Sequence, residues 1–165
     1  MATYYVDKTS GSANDSNAGT DPNFPWLTIG KACTTMVAGD ITYVKGDNQT
    51  YSISSTLSFS NTGNPTASIQ LLRFSTHNVT IQPSVSINYV FNMDKNYVIV
   101  DGFRIVCSNG SSITTGDGVT IAGSYNQFRN VYLQYAGAFK SNPQYNGSGF
   151  VVSTLGHHNQ FIRWL

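Results

Sequence analysis

The sequence predicts an all-β chain wound as a β-solenoid, and three observations lead there. Only 10% of its 165 residues are charged, eight are Asp and none is Glu, while Ser, Thr and Asn number 19, 17 and 16. Helical folds lean on Glu and Lys, so this balance favours strands and turns. Short apolar stretches of 3 to 6 residues recur down the chain, parted by Gly, Asn, Asp, Ser or Pro. Several of these stretches also resemble one another, which separates a solenoid from the sandwich or barrel that spacing alone would allow. Aromatic residues, at 13%, are too many for a disordered polar chain, and the length fits one domain with at most a small cap.

The elements follow in order. Tyr4 to Val6 reads as a strand, and Gly11 to Asn23 as a long polar loop. After Trp26, the residues Ile29, Ala32, Cys33 and Met36 fall at i, i+3, i+4 and i+7, the apolar face of a short helix. Thr28 is its expected N-cap, and Ala38-Gly39-Asp40 its stop. Strands are then expected at Ile41–Val44, Leu57–Phe59, Ile69–Phe74, Val79–Ile81 and Val85–Ile87. They continue at Tyr97–Val100, Phe103–Val106, Val119–Ile121, Val131–Leu133, Phe150–Val152 and Phe161–Leu165.

The repeat rests on His77-Asn78-Val79-Thr80-Ile81 against His158-Asn159-Gln160-Phe161-Ile162, with Asn126-Gln127-Phe128 and Asn96-Tyr97-Val98 laid out alike. The lead asparagines Asn78, Asn96, Asn126 and Asn159 stand 18, 30 and 33 residues apart. Asn suits a tight turn because it tolerates the left-handed region and its amide bonds nearby backbone. Chance similarity in an Asn-rich chain is the competing reading.

Charge and hydropathy narrow the function classes. A net charge of +1 with no basic run argues against nucleic acid. No apolar run approaches the roughly 20 residues that span a bilayer, so no membrane is expected. The start, Met1-Ala2-Thr3-Tyr4, has neither a basic nor an apolar leader segment. Either export does not use a signal peptide, or one has been removed. Cys33 and Cys107 read as two free, buried thiols rather than a disulfide scaffold.

One block of the chain resembles the N-terminal part of right-handed parallel β-helix proteins of the pectate-lyase-like superfamily. It comprises Tyr4-Tyr5-Val6-Asp7, the loop Gly11 to Thr20, Pro25 to Ala32, and Ala38-Gly39-Asp40-Ile41-Thr42-Tyr43-Val44. The resemblance implies a first strand, a polar loop, a capping helix within residues 1–40, and β-helix coils over 41–165. An amphipathic helix would cover the open apolar end of the first coil. The chain stops inside an apolar strand, Phe161 to Leu165, so the coils are expected to continue or to be covered by another chain.

Superfamily members that cleave acidic polysaccharides use clustered Asp for calcium and a Lys or Arg as base near the proton alpha to the uronate carboxyl. Here the weak catalytic candidates Asp94, Lys95, Asp101 and Asp117 are scattered singly, and Asp101-Gly102 and Gly116-Asp117-Gly118 read as turns. The loop Asp15-Ser16-Asn17-Ala18-Gly19-Thr20-Asp21 carries oxygens at alternate positions, making Asp15, Asn17 and Asp21 weak Ca2+ candidates, but it lacks a distal bidentate Glu. His77, His157 and His158 read as structural turn residues. Tyr132, Tyr135 and Tyr145, with Phe139, crowd the longest insertion and are the glycan-binding candidates, since aromatic faces stack on sugar rings.

The expected function is a structural protein of a virus particle, most plausibly a bacteriophage tail spike, fibre or capsid decoration. It would be trimeric, meet other virion proteins, and grip host surface glycans. The alternatives are a secreted polysaccharide lyase or glycoside hydrolase and a glycan-binding adhesin. No cofactor beyond Ca2+ is implied, and fold alone does not choose among the three.

Overall fold

The computed structural model of the chain describes residues 1–107, 117–134, 150–152 and 155–164. In chain order it contains β1 (Thr3–Val6), α1 (Ile29–Thr35), β2 (Ile41–Val44), β3 (Gln49–Ile53), β4 (Leu57–Ser58), β5 (Ile69–Arg73) and β6 (Val79–Pro83). These are followed by β7 (Tyr89–Met93), β8 (Val98–Asp101), β9 (Phe103–Val106), β10 (Asp117–Ile121), β11 (Gln127–Gln134), β12 (Phe150–Val152) and β13 (Gln160–Trp164). All named strand pairs are parallel.

The strands stack on three faces, so the expected parallel β-solenoid is what the chain forms. Face A holds β1, β2, β5, β8, the first half of β11, and β13. Face B holds β3, β6, β9 and the second half of β11, and face C holds β4, β7, β10 and β12. Three turns pass through all three faces in sequence, β2 to β4, β5 to β7 and β8 to β10, and β11 opens the next.

Strand alternation sends every second side chain inward, and the register stacks those side chains in rows. On face A, Thr42, Leu71, Val100 and Phe128 share one row; on face B, Tyr51, Ile81 and Ile105 share another. On face C, Leu57, Phe91 and Val119 are in register. All ten are buried.

The N-terminal end is closed as its amphipathic pattern predicts. Thr28 is extended (φ −121°) and its hydroxyl accepts the Lys31 N–H at 3.1 Å. Ile29, Ala32, Cys33 and Met36 all sit at 1% exposure or less and pack with Leu57 and Phe59. The preceding loop is tied down from within. The Asp15 carboxylate accepts the Leu27 and Thr28 N–H groups, each at 2.9 Å, and the Thr28 hydroxyl at 2.7 Å. Trp26 stacks on Tyr4 at 4.4 Å and donates its indole N–H to the Asn17 carbonyl at 2.8 Å. Both cysteines are buried.

Three details depart from the sequence reading. Val85–Ile87 is a corner, not a strand: the Ser84 N–H closes onto the Ile53 carbonyl at 2.8 Å, Val85 is 44% exposed, and pairing resumes at Tyr89. Val90, Phe91 and Met93 are the side chains that fill the core there. A strand at Gln49–Ile53, not anticipated, starts face B.

The asparagines do not form one series either. Asn78 lies between faces A and B, whereas the corner between C and A aligns Val98, Asn126 and Asn159. That register places Asn96 beside Ser124 and His157, two residues off the expected position. Asn126 and Asn159 each reach back one coil. The Asn126 Oδ1 accepts the Val98 N–H and its Nδ2 donates to the Lys95 carbonyl, both at 2.9 Å. The Asn159 Oδ1 accepts the Asn126 N–H at 2.9 Å and its Nδ2 donates to the Gly123 carbonyl at 3.0 Å.

Candidate functional site

The corner between faces A and B narrows along the solenoid. In the first two turns it is a loop, Lys45 to Asn48 and then Phe74 to Asn78; afterwards it is Gly102 alone, with φ +90°, and then Asn130, with φ +49°. Glycine is required at 102 because a Cβ there would stand 2.8 Å from the Arg73 side chain, which lies across it. The change from loops to single residues leaves a groove of about 460 Å³ on the outer side of face B.

The floor of the groove is an outward row in register, Thr50, Thr80, Arg104 and Tyr132. Arg104 donates through Nε to the Gln134 Oε1 at 3.0 Å, and its guanidinium carbon lies 5.8 Å from the centre of the Tyr132 ring. That ring is 40% exposed, so one guanidinium–aromatic pair faces solvent. One wall is Asn48 and Asn78, joined by an Nδ2–Oδ1 bond of 3.2 Å and fixed by the Asn78 N–H on the Asp47 carboxylate at 3.0 Å. Arg73 and Asn130 form the other, and Asn130 donates to the Asp101 carboxylate at 2.8 Å.

No acidic residue lines the groove, and neither Arg73 nor Arg104 has a carboxylate partner within salt-bridge distance among the described residues. Two guanidiniums with no carboxylate partner among the described residues, amide and hydroxyl groups and one exposed ring make a surface for a polar, anionic, ring-shaped ligand. A second hollow, about 360 Å³, lies between the start of α1 and β3. Its single cation, Lys8, is already spent on the Thr50 carbonyl at 2.6 Å. Beside it, burial pushes the Tyr51 phenol above its usual range.

The residues singled out from sequence fall in different places. Asp94 and Lys95 pair with each other at 3.0 Å on a corner outside the groove. Asp101 is at the groove's edge, engaged by Asn130. Asp117 opens β10 opposite Tyr89 on face C. Asp15 caps the entry to α1, the Asn17 amide donates to the Ser12 and Pro25 carbonyls at 2.9 Å, and Asp21 accepts the Asn23 N–H at 2.8 Å. Those three side chains are each bonded separately to protein. Among the described residues, no three His, Cys, Asp or Glu side chains converge as metal ligands. Of the aromatic candidates, Tyr132 is in the groove, whereas Tyr135 and Tyr145 lie outside the described residues. Arg73 and Arg104 were not anticipated. Their only sequence signal is an arginine at an outward position of a strand, which does not reveal that they meet.

No family model matches the chain, and no curated protein matches it. Among solved structures, pectate lyase Pel9A superposes with a TM-score of 0.63 at 22% identity, over 80% of this chain and 33% of that one. A rhamnogalacturonan lyase superposes with a TM-score of 0.60 at 18% identity, over 99% of this chain and 51% of that one. The chain therefore shares the parallel β-helix fold of these two enzymes and spans about a third and about half of their lengths.

Proposed function

We propose that this chain is a polysaccharide-binding β-helix whose groove on face B holds an acidic glycan. The observation that carries the reading is the pair of guanidiniums with no carboxylate partner among the described residues, Arg73 and Arg104, in one groove with the exposed ring of Tyr132. Uronate carboxylates would meet the arginines, the ring would lie against a sugar face, and the Asn and Thr side chains would bond hydroxyls. The contact is compatible with each of three settings: a virion spike, fibre or decoration that grips host glycans, a secreted lyase or hydrolase, and an adhesin.

The lyase setting gains weight from the two lyases of like fold. Elimination removes the proton alpha to the uronate carboxyl and expels the sugar linked at C4. The groove supplies cations to neutralise that carboxylate, which is one part of such a reaction.

Titrating the protein with polygalacturonate and with its methyl ester tests the proposal, because esterification removes the carboxylate charge while leaving the sugar backbone unchanged. The acid should bind at least tenfold tighter than the ester. Arg104→Ala and Arg73→Ala should each cost about tenfold, the usual worth of a charge-assisted hydrogen bond. Equal binding of acid and ester would overturn the reading. Release of unsaturated uronate products would add the lyase activity, and a trimeric or particle-associated native mass would support the virion setting.

A further inference from the structure

The outer corner between faces C and A carries a stack of rings that the groove does not use. Tyr97, Tyr125 and His158 occupy successive coils, all left-handed, with φ of +55°, +60° and +55°. Tyr97 and Tyr125 stack at 4.8 Å with their planes 2° apart, and Tyr125 and His158 at 4.9 Å and 8°. His157, one residue before the stack, stands edge-on to Tyr125 at 5.5 Å, and its backbone N–H donates to the Ser124 hydroxyl at 3.3 Å. The two imidazoles are thus held by different contacts, one face-on and one edge-on. Their planes are 85° apart, and their Nδ1 atoms share a hydrogen bond of 2.7 Å in which one ring donates and the other accepts.

We propose that His157 and His158 chelate a divalent transition metal through their two Nδ1 atoms, and that the site prefers Cu2+ or Ni2+ over Zn2+. Both rings are exposed, so a metal reaches them without opening the core. In the metal-binding form each imidazole is neutral, with its proton on Nε2 and the Nδ1 lone pair free. The separation chooses the metal. Two nitrogens each about 2.0 Å from one ion stand about 2.8 Å apart when they subtend a right angle, and about 3.3 Å apart on a tetrahedron. The hydrogen-bonded separation of 2.7 Å is close to the first value, so a metal that takes the place of the shared proton, as that ring shifts to its Nε2–H tautomer, needs little movement of either nitrogen. Right-angled nitrogen pairs belong to the square-planar and octahedral ions, Cu2+ and Ni2+, rather than to tetrahedral Zn2+. The stack on Tyr125 and the left-handed turn hold the rings beforehand, so little side-chain freedom is lost on binding. Water completes the coordination.

The test is calorimetric titration of the whole chain with CuCl2, NiCl2 and ZnCl2, with electron paramagnetic resonance of the copper form. One Cu2+ per chain is expected, with nitrogen hyperfine structure in its spectrum, and Ni2+ should bind at least several-fold tighter than Zn2+. His157→Gln and His158→Asn should each weaken copper binding at least tenfold, because losing one arm removes the chelate. Asn is chosen at 158 because it accepts the left-handed turn. Circular dichroism without metal establishes that each variant is folded, and His157→Gln carries the test should His158→Asn not fold. Copper binding that is equally tight in the double variant, absent from the parent chain, or matched by Zn2+ would overturn the proposal.

Discussion

Replacing Asn126 by Ala should unsettle the solenoid far more than its small change in volume suggests. Asn126 is fully buried and bridges two coils through its amide. Truncation leaves the Val98 N–H and the Lys95 carbonyl, each now bonded at 2.9 Å, without a partner. A buried polar group deprived of its hydrogen bond costs about 1–3 kcal/mol, so the pair predicts a loss of about 2–6 kcal/mol. With a urea slope of about 2 kcal/mol/M, the midpoint should fall by about 1–3 M. Ser86→Ala, on an exposed corner, should stay within about 0.5 kcal/mol of the parent and serves as the reference. Asn126→Asp separates hydrogen bonding from size. It keeps the acceptor for Val98 but turns the donor to Lys95 into a second acceptor, so at neutral pH it should be at least as destabilising as Ala. A midpoint for Asn126→Ala equal to that of Ser86→Ala would refute the reasoning, since it would mean that the amide bonds stabilise nothing water cannot replace.

Gly102→Ala should weaken polygalacturonate binding, because the new Cβ displaces Arg73 while the left-handed backbone is strained by about 1–2 kcal/mol; the same titration with the acid glycan measures it. Stability should fall with rising alkalinity. Burial pushes the Cys33 thiol from its ordinary 9.0 up to about 12 and raises the Tyr51 phenol as well. The folded chain therefore retains protons that the unfolded chain releases, and stability is lost above pH 9 through the thiol and above pH 10 through the phenol, by up to about 1.4 kcal/mol per pH unit for each group. Thermal midpoints between pH 8 and 11 check this, and Cys33→Ser should flatten the decline. Asp15→Ala should lower the midpoint without making it respond to Ca2+, because the carboxylate's three bonds hold the entry to α1; a calcium-dependent rise in the parent would restore the loop as a metal site.

The N-terminal third was legible because its signals are local. The spacing of Ile29, Ala32, Cys33 and Met36 fixes a helical face, and Thr28 marks its start, whatever lies further along the chain. The coils were legible as strands but not in their alignment. Val-Ser-Ile at 85–87 alternates as well as any strand, yet the chain turns there because Val90, Phe91 and Met93 are the residues that fill the core. Similarly, the His-Asn pairs at 77–78 and 158–159 look alike but occupy different corners, and local composition does not say which corner a turn serves. The groove escaped for a related reason. Arg73 ends a strand of face A and Arg104 lies mid-strand on face B, so only the winding of the backbone brings them to one surface. Tyr132 was singled out by its aromatic character, which needs no partner to be noticed, and it lines the groove.

The narrowing of the corner between faces A and B has a consequence for how such a surface can diverge. Because the hollow comes from a step in the winding, its depth is set by the main chain, while the chemistry of its floor is set by one outward side chain per rung: Thr50, Thr80, Arg104 and Tyr132. These positions contribute nothing to the inward rows, so each can be exchanged without repacking the interior. The row is in effect a text of interchangeable letters on a fixed page, and a descendant of this chain could acquire a taste for another ligand by rewriting single letters at about 4.8 Å intervals.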